Sequence, residues 1–583
     1  MRGPVPGAPM NLTRGAVLLL VILCAAAWFA PLGIRSLLPS EEGHYAEIAR
    51  EMLASGDWTT PRYNGAPYGE TAPLQIWATA ASFALFGLGE WQARLWTALC
   101  GFGAILLVGY TGVRLFGRPA GILAAAAMVA TPYWHLFGHY ASRDMGLSAM
   151  LTVVLCTFLL AQRAPHPAIG QRDMSSTGGK GVTVAVSALR GQRGWMWLCW
   201  AAMALALLSK GLTGIAIPAL ALVIYSLAGR DARVWRRLHL FSGLLVFLAL
   251  CAPWFIASQW HHPDASYIRF GEAADRRFRW RDNTLPDAIS FVVPVLLIGI
   301  LPWLSLLWQG MRRAIRLPRQ TNRFSPAVLL LTWSISIFVF FSLSDAKRVA
   351  DLLPLTPAVA LVVGAYLPSR DPRRIRRHLA GYAVLLITLA LSVVYLSNFG
   401  SVTTPNALYR RYQMWLWLAL GVGLLGFAVA GALARRLGAR AWLVYVAAWY
   451  ATLAIAVNAH ELLGRPIAGT PLAARVRSTL AQTPDGAADW PFYALGGRDE
   501  TIAFALRRTM IGIDMPDNTV RGASPESDAA RTALAQWAQH WRDGGPALAI
   551  MTPAQYDALR ADNVPMTVIA NDPRRVVVSR DRP

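Results

Sequence analysis

A polytopic α-helical membrane protein is the fold class predicted by this 583-residue sequence, and three observations predict it. First, 55% of the residues are hydrophobic and only 15% charged, with a mean hydropathy of +0.39. Second, apolar runs near the ~20 residues needed to cross a bilayer recur along the chain. Third, 55 Lys and Arg face 32 Asp and Glu, a net charge of +23, and much of the excess falls in short segments between those runs. A soluble enzyme is excluded by the first two. The third is a topology signal rather than a nucleic-acid footprint, because the basic segments lack the interleaved aromatics of a stacking platform. They are solvated or lipid-headgroup faces, and no nucleic-acid partner is implied. Cys24, Cys100, Cys156, Cys199 and Cys251 all lie in apolar runs without a CxxC or Cys/His neighbour, so they are read as small buried hydrophobes.

The first run, residues 16–34, follows Arg2 and Arg14 and is longer than the apolar region of a cleaved signal, so it is read as a signal anchor. Twelve more follow at about 93–113, 119–135, 145–162, 195–209, 211–228, 238–258, 287–309, 326–343, 350–368, 379–397, 413–434 and 441–458, making thirteen spans. Residues 74–87 are short and contain Gln75. Taking them as a surface or re-entrant helix puts the basic segments, among them Arg230 to Arg237, Arg312 to Arg323 and Arg370 to Arg377, on the inner side. Residues 1–458 then form the membrane domain, with 35–92 as a large outer loop and 163–194 as a flexible inner one. Residues 459–583 form a small outer α/β domain, with strands expected at 491–496, 547–551 and 566–569 and helices at 499–508 and 529–541. This tail carries no Gly-rich phosphate fingerprint and no catalytic triad spacing. No internal repeat favours an inverted-repeat transporter.

Polar residues are costly at a membrane, so a cluster of them on one face is a candidate site. The outer face collects several. Glu41, Glu42 and His44 follow the first span, where Ser40 would cap a helix running to about Leu53 and the acids would complement its dipole; two acids beside an imidazole also suit chemistry. Arg143 and Asp144 close the loop before the fourth span, as an interfacial anchor or as part of a site. Glu70 precedes the surface helix, Lys210 sits in a hairpin, and Asp345, Lys347, Arg348 and Asp351 form a tight turn able to pair its own charges. The loop 260–287 adds His261, His262, Glu272, Arg276, Arg277 and Arg279. Carboxylates of this kind act as general bases, and Arg and Lys neutralise a departing lipid phosphate.

The segment Glu41-Glu42-Gly43-His44-Tyr45-Ala46-Glu47-Ile48-Ala49-Arg50-Glu51-Met52, with Ser55-Gly56-Asp57-Trp58, Thr60-Pro61-Arg62, Asn64-Gly65 and Tyr68-Gly69-Glu70, resembles the first outer loop of GT-C glycosyltransferases. Among them the protein mannosyltransferases and the bacterial aminoarabinose transferases of lipid A are nearest. The resemblance continues through Ser209-Lys210-Gly211, Pro253-Trp254, Arg277-Phe278, Pro302-Trp303 and Phe341-Ser342-Leu343-Ser344 to Leu353-Pro354.

The resemblance implies a GT-C fold and an undecaprenyl-phosphate sugar donor. It implies transfer to a lipid A, glycan or protein acceptor on the periplasmic face of the bacterial inner membrane. Glu41 stands at the family's first-loop acid and Asp144 at its second-loop acid, the two expected catalytic residues. Arg277 matches an arginine of the donor phosphate. Glu42, His44, Arg62, Glu70, Lys210, Lys347 and Asp351 complete the expected substrate-binding set. Thr71 replaces a usual Lys, His44 a usual Arg, Asp351 a usual Tyr and Ala274 a usual His. No cofactor is required on this reading. A divalent ion held by the acids with His44, His139, His261 or His262 is the lesser alternative, because the spacing of these residues matches no metal motif. The competing function is a GT-C-like protein that binds lipid-linked glycan without transferring it.

Overall fold

The computed structural model describes residues 12–39, 41–69, 71–162, 180–261, 285–301, 303–315, 324–342, 348–366, 372–482, 487, 489–495, 499–513 and 528–580. Glu70, Arg277 and Lys347 of the expected site lie outside them, as do Ser40, Glu272 and Ala274.

Seven helices carry the amino-terminal part: α1 (Arg14–Phe29), α2 (Glu42–Ser55), α3 (Leu74–Phe86), α4 (Glu90–Phe116), α5 (Arg118–Val129), α6 (Pro132–Gly138) and α7 (Arg143–Ala161). Over its described residues, each of the thirteen apolar runs falls on a helix or on a consecutive pair of helices. Among the described residues six helical stretches are long and apolar enough to cross a membrane, and two bent pairs qualify jointly. One of these pairs, α5 and α6, bends by 62°. The cause is Pro132, which lacks an N–H and pushes Thr131 into extended backbone (φ −76°, ψ 123°), so α5 stops and α6 restarts. On α1, Leu18, Leu19, Ile22 and Leu23 are exposed while Trp28 is fully buried, as suits a helix with one lipid-facing side. Gly138 permits that burial, since a Cβ there would stand 2.3 Å from Trp28 Cζ2.

The short apolar segment forms α3, whose 13 residues extend only about 20 Å. That is too short for a ~30 Å hydrocarbon core. Its Gln75, Thr79 and Ser82 are buried, and it packs on α2 instead. Two expectations change. Helix α2 begins at Glu42 with Glu41 as its N-cap and no side-chain cap, and it runs on to Ser55, where Gly56 turns left-handed (φ +69°). The inner loop is shorter than 163–194, because the helix Lys180–Lys210 covers its second half.

A small antiparallel pair, β1 (Arg62–Tyr63) and β2 (Ala66–Pro67), follows α2, and beyond helices Glu461–Ala468 and Thr470–Leu480 lies a five-stranded sheet of β3 (Phe492–Ala494), β4 (Ile511–Gly512), β5 (Leu548–Met551), β6 (Thr567–Asn571) and β7 (Val576–Ser579), ordered β4-β3-β5-β7-β6. β3 pairs parallel with β4 and β5, and β7 pairs antiparallel with β5 and β6. Strand alternation splits the core between two faces. Leu548, Ile550 and Val577 pack with Leu472, Val476 and Ile502 on one side, and Ala549, Met551 and Val578 with Trp537, Trp541 and Leu559 on the other. The three expected strands and two expected helices are present, while β4, β7 and the helix Pro553–Ala561 were not anticipated. β7 is buried at every position, so it shows no polar alternation to read.

Candidate active site

Arg94, fully buried near the start of α4, assembles this end of the bundle. Its guanidinium donates to the carbonyls of Leu32 (2.9 Å), Arg35 (2.5 Å) and Ser36 (2.9 Å) and grips both oxygens of Glu42, at 2.7 and 2.8 Å. Glu42 also accepts from the backbone N–H of Leu38 (3.0 Å) and Ala141 (2.9 Å). Burial pushes the Glu42 carboxyl up, but the charge and hydrogen bonds of Arg94, with Arg35 and the Ala141 N–H, hold it below the usual glutamate range. Glu42 was expected to bind substrate. Its exposure is 0% and its oxygens are filled, so it is corrected to a structural residue.

The same knot sets the site. By joining Glu42 to Ala141, it brings the preceding residue, Glu41, beside Asp144 at the start of α7. Lys210, the last residue of its helix, places Nζ against Asp144 Oδ1 and 3.0 Å from Asp351 Oδ1. Asp351 Oδ2 accepts from the backbone N–H of Arg348 (3.1 Å), and the Arg348 side chain returns to within 3.7 Å of Glu41 Oε1. Glu41, Arg348, Asp351, Lys210 and Asp144 therefore form one chain of alternating charge drawn from four separate parts of the sequence. Asp144, Asp351 and Lys210 are buried, whereas the Glu41 side chain keeps 31% of its exposure. Burial first, then the Asp144 charge, push the Glu41 carboxyl above its ordinary range, against Arg348, Arg143 and Lys210.

His44 lies one turn along α2 from Glu41, with Nε2 3.1 Å from Tyr68 Oη and Nδ1 3.6 Å from Glu500 Oε1. Arg62 stands apart on a two-residue strand, 3.6 Å from Asp57 and bonded to Gly65 O at 3.3 Å. It was expected to bind substrate, yet it joins no member of the carboxylate chain among the described residues. Lys210 was expected as a phosphate ligand and is instead held by two carboxylates. Sequence reasoning named Arg348 only within its charged turn, and it passed over Arg94 and Glu500 as site-forming residues. Arg94 had a usable signal, a charge inside an otherwise apolar run; Glu500 had none. Among the described residues no group of three or more His, Cys, Asp and Glu stands close enough to hold a metal ion. His135 and His139 share a four-residue spacing, but both ring nitrogens of His139 face backbone carbonyls, at 2.7 and 2.8 Å.

Residues 16–267 match the dolichyl-phosphate-mannose-protein mannosyltransferase family, and residues 479–580 match the aminoarabinose transferase C-terminal domain. The crystal structure of ArnT from Cupriavidus metallidurans bound to undecaprenyl phosphate superposes with a TM-score of 0.84 at 34% identity, covering 98% of this chain and 99% of that one. The chain belongs to the ArnT family of aminoarabinose transferases. The apo form of the same Cupriavidus protein gives a TM-score of 0.82 at 34% identity, covering 97% and 98%. The undecaprenyl phosphate-alpha-4-amino-4-deoxy-L-arabinose arabinosyl transferase of Edwardsiella ictaluri is 29% identical over 444 residues, 70% of this chain and 75% of its own. This ArnT-family protein is accordingly a glycosyltransferase with the GT-C fold and a multi-pass inner-membrane protein.

Proposed function

We propose that this ArnT-family transferase moves a sugar from an undecaprenyl-phosphate donor to lipid A on the periplasmic face of the inner membrane, with Glu41 as general base. The observation that carries the base assignment is the difference between the two catalytic candidates. Asp144 is buried and clamped by Lys210, while Glu41 is partly exposed, held only loosely at 3.7 Å by Arg348, and has its carboxyl raised toward the working pH. Asp144, Lys210 and Asp351 orient the pair. The acceptor's oxygen attacks the anomeric carbon, its proton passes to Glu41, and undecaprenyl phosphate departs with the electrons of the broken C–O bond.

Arg277, by its match to the family, and Lys347 receive the leaving phosphate, with Glu70 and His44 at the first-loop side. Asp351 and Thr71 stand where the family has Tyr and Lys, which supports a donor sugar other than aminoarabinose, or a glycan or protein acceptor in place of lipid A, as the second reading.

Mass spectrometry of lipid A from a deletion strain, complemented with the parent or with Glu41→Gln, tests this function. A sugar mass increment is expected with the parent and not with the variant. An increment that survives Glu41→Gln moves the base elsewhere, and an increment on another envelope glycan selects the second reading. Fusion reporters after Glu90, Tyr140 and Arg580 are expected outside and one after Arg374 inside; a cytoplasmic signal at Glu90 would overturn the periplasmic placement. Arg277→Ala in nanodiscs is expected to weaken undecaprenyl-phosphate binding by roughly 1.5–3 kcal/mol, the scale of a charge-assisted hydrogen bond.

A further inference from the structure

The carboxy-terminal layer reaches the first loop through a carboxylate that the chemistry above does not use. Glu500 is the first residue of the helix Glu500–Leu506, which is capped by Asp499. Its Oε1 accepts from Tyr63 Oη at 3.1 Å and stands 3.6 Å from His44 Nδ1. The other nitrogen of His44 meets Tyr68 Oη. Tyr45, Tyr63 and Tyr68 enclose the imidazole edge-on, with ring centroids at 5.5, 4.8 and 5.2 Å. The Tyr45 N–H in turn donates to the Glu41 carbonyl at 3.0 Å. The box around His44 is thus one wall of the carboxylate site, and its outer side is closed by Glu500.

The docking is tight. A Cβ on Gly43 would stand 2.6 Å from Thr501 Cγ2, Asn64 Oδ1 accepts from Met510 N–H at 3.1 Å, and Phe83 packs on Phe504 at 5.6 Å. Contacts of this kind would hold the two layers together without any charge at position 500. The side chains of His44 and Glu500 are only 13% and 14% exposed, so an imidazole facing a carboxylate there is a directed pair rather than a surface one. At 3.6 Å the Nδ1 makes no hydrogen bond to the carboxylate, but a negative charge so close in a partly buried site favours a proton on that nitrogen and biases how the ring is turned.

We propose that Glu500 is a positioning residue of the transferase: acting through His44, it sets the tyrosine wall against which the donor sugar is aligned beside Glu41. The carboxy-terminal layer is then part of the site rather than an appendage. This rests on the reading that Glu41 and Asp144 carry the transfer. Misalignment at a reacting centre costs rate more than binding.

The test uses the full-length protein in nanodiscs with undecaprenyl-phosphate sugar and lipid A, measuring kcat, KM and Tm. Glu500→Gln keeps an acceptor for Tyr63 but loses the charge, and it is expected to retain the parent Tm and donor KM within twofold while kcat falls about tenfold. His44→Ala is expected to lose a similar factor, and the double variant to be no slower than His44→Ala alone. A Glu500→Gln protein with parent kcat, or losses that multiply in the double variant, would overturn the proposal and leave Glu500 a docking contact. Glu41→Gln run alongside separates the two readings: transfer that survives it condemns the assignment of the base, while the Glu500 and His44 comparison still reports the coupling.

Discussion

Glu41 and Glu42 are neighbours in the chain and belong to two ionic clusters of opposite character. Around Glu42 every acceptor is filled, by Arg94 and two backbone N–H groups, and the guanidinium spends its remaining donors on three carbonyls. Around Glu41 the charges are strung out through Arg348, Asp351, Lys210 and Asp144, and one end keeps partial exposure. A saturated buried pair has no capacity left for substrate, and its removal is felt as lost fold. An unsaturated chain with a raised carboxyl at its open end has capacity for a proton and a ligand, and its removal is felt as lost rate.

The largest effect expected from that contrast is on turnover. Glu41→Gln should cut kcat by a factor of the order of 100 to 10,000 with the protein still inserted and its Tm near the parent's, whereas Asp144→Asn, which takes a buried partner from Lys210, should lower both kcat and Tm. Steady-state transfer by purified variants measures it, and Glu41→Asp, one methylene shorter, should retain more activity than the amide. If Glu41→Gln unfolds, the distinction between the clusters is lost.

Arg94→Ala should do the reverse, destabilising by about 3–5 kcal/mol, as when one partner of a buried pair is removed. The fraction that remains folded should keep a measurable kcat. Thermal unfolding in detergent, with activity normalised to folded protein, checks this.

Lys210→Met gives a smaller effect with a sign. Glu41 must be ionised to accept a proton, so activity falls as pH drops through its raised pKa, and the acid limb of kcat lies above the usual glutamate range. Lys210 is among the cations that lower that pKa. Its removal should therefore move the limb to higher pH and lower kcat at neutral pH. A limb displaced to lower pH would mean that Lys210 does not act on Glu41.

Arg62→Ala should change least. Its pair with Asp57 has side chains 32% and 27% exposed, and such pairs contribute only about 0–1 kcal/mol. Stability and transfer should match the parent. A large loss of donor binding would bring the hairpin back into the site.

Much of the fold was legible because a bilayer makes the apolar run an explicit signal: all thirteen runs became helices or consecutive pairs. The short length expected of α3 was legible too: it has 13 residues. In the site, Asp144, Lys210 and Asp351 were legible as expensive charges at one end of the bundle. Glu42 was misread because its sequence context is the same as that of Glu41. What separates them is a guanidinium 52 positions further on, and nothing local to α2 reports it.

The division has a physical reason. Hydropathy and charge act over a few neighbours, so the positions of the apolar helices and the set of candidate acids were determined by the sequence itself, as was the stop before Pro132, although the run 119–135 reads as unbroken. Which acid is filled and which is open depends on side chains arriving from distant segments: Arg94 on α4, Arg348 and Asp351 near a turn, Lys210 at a helix end, and Glu500 from the carboxy-terminal layer 456 positions away from His44. Those distances close only when the helices pack, and tertiary structure alone decided them.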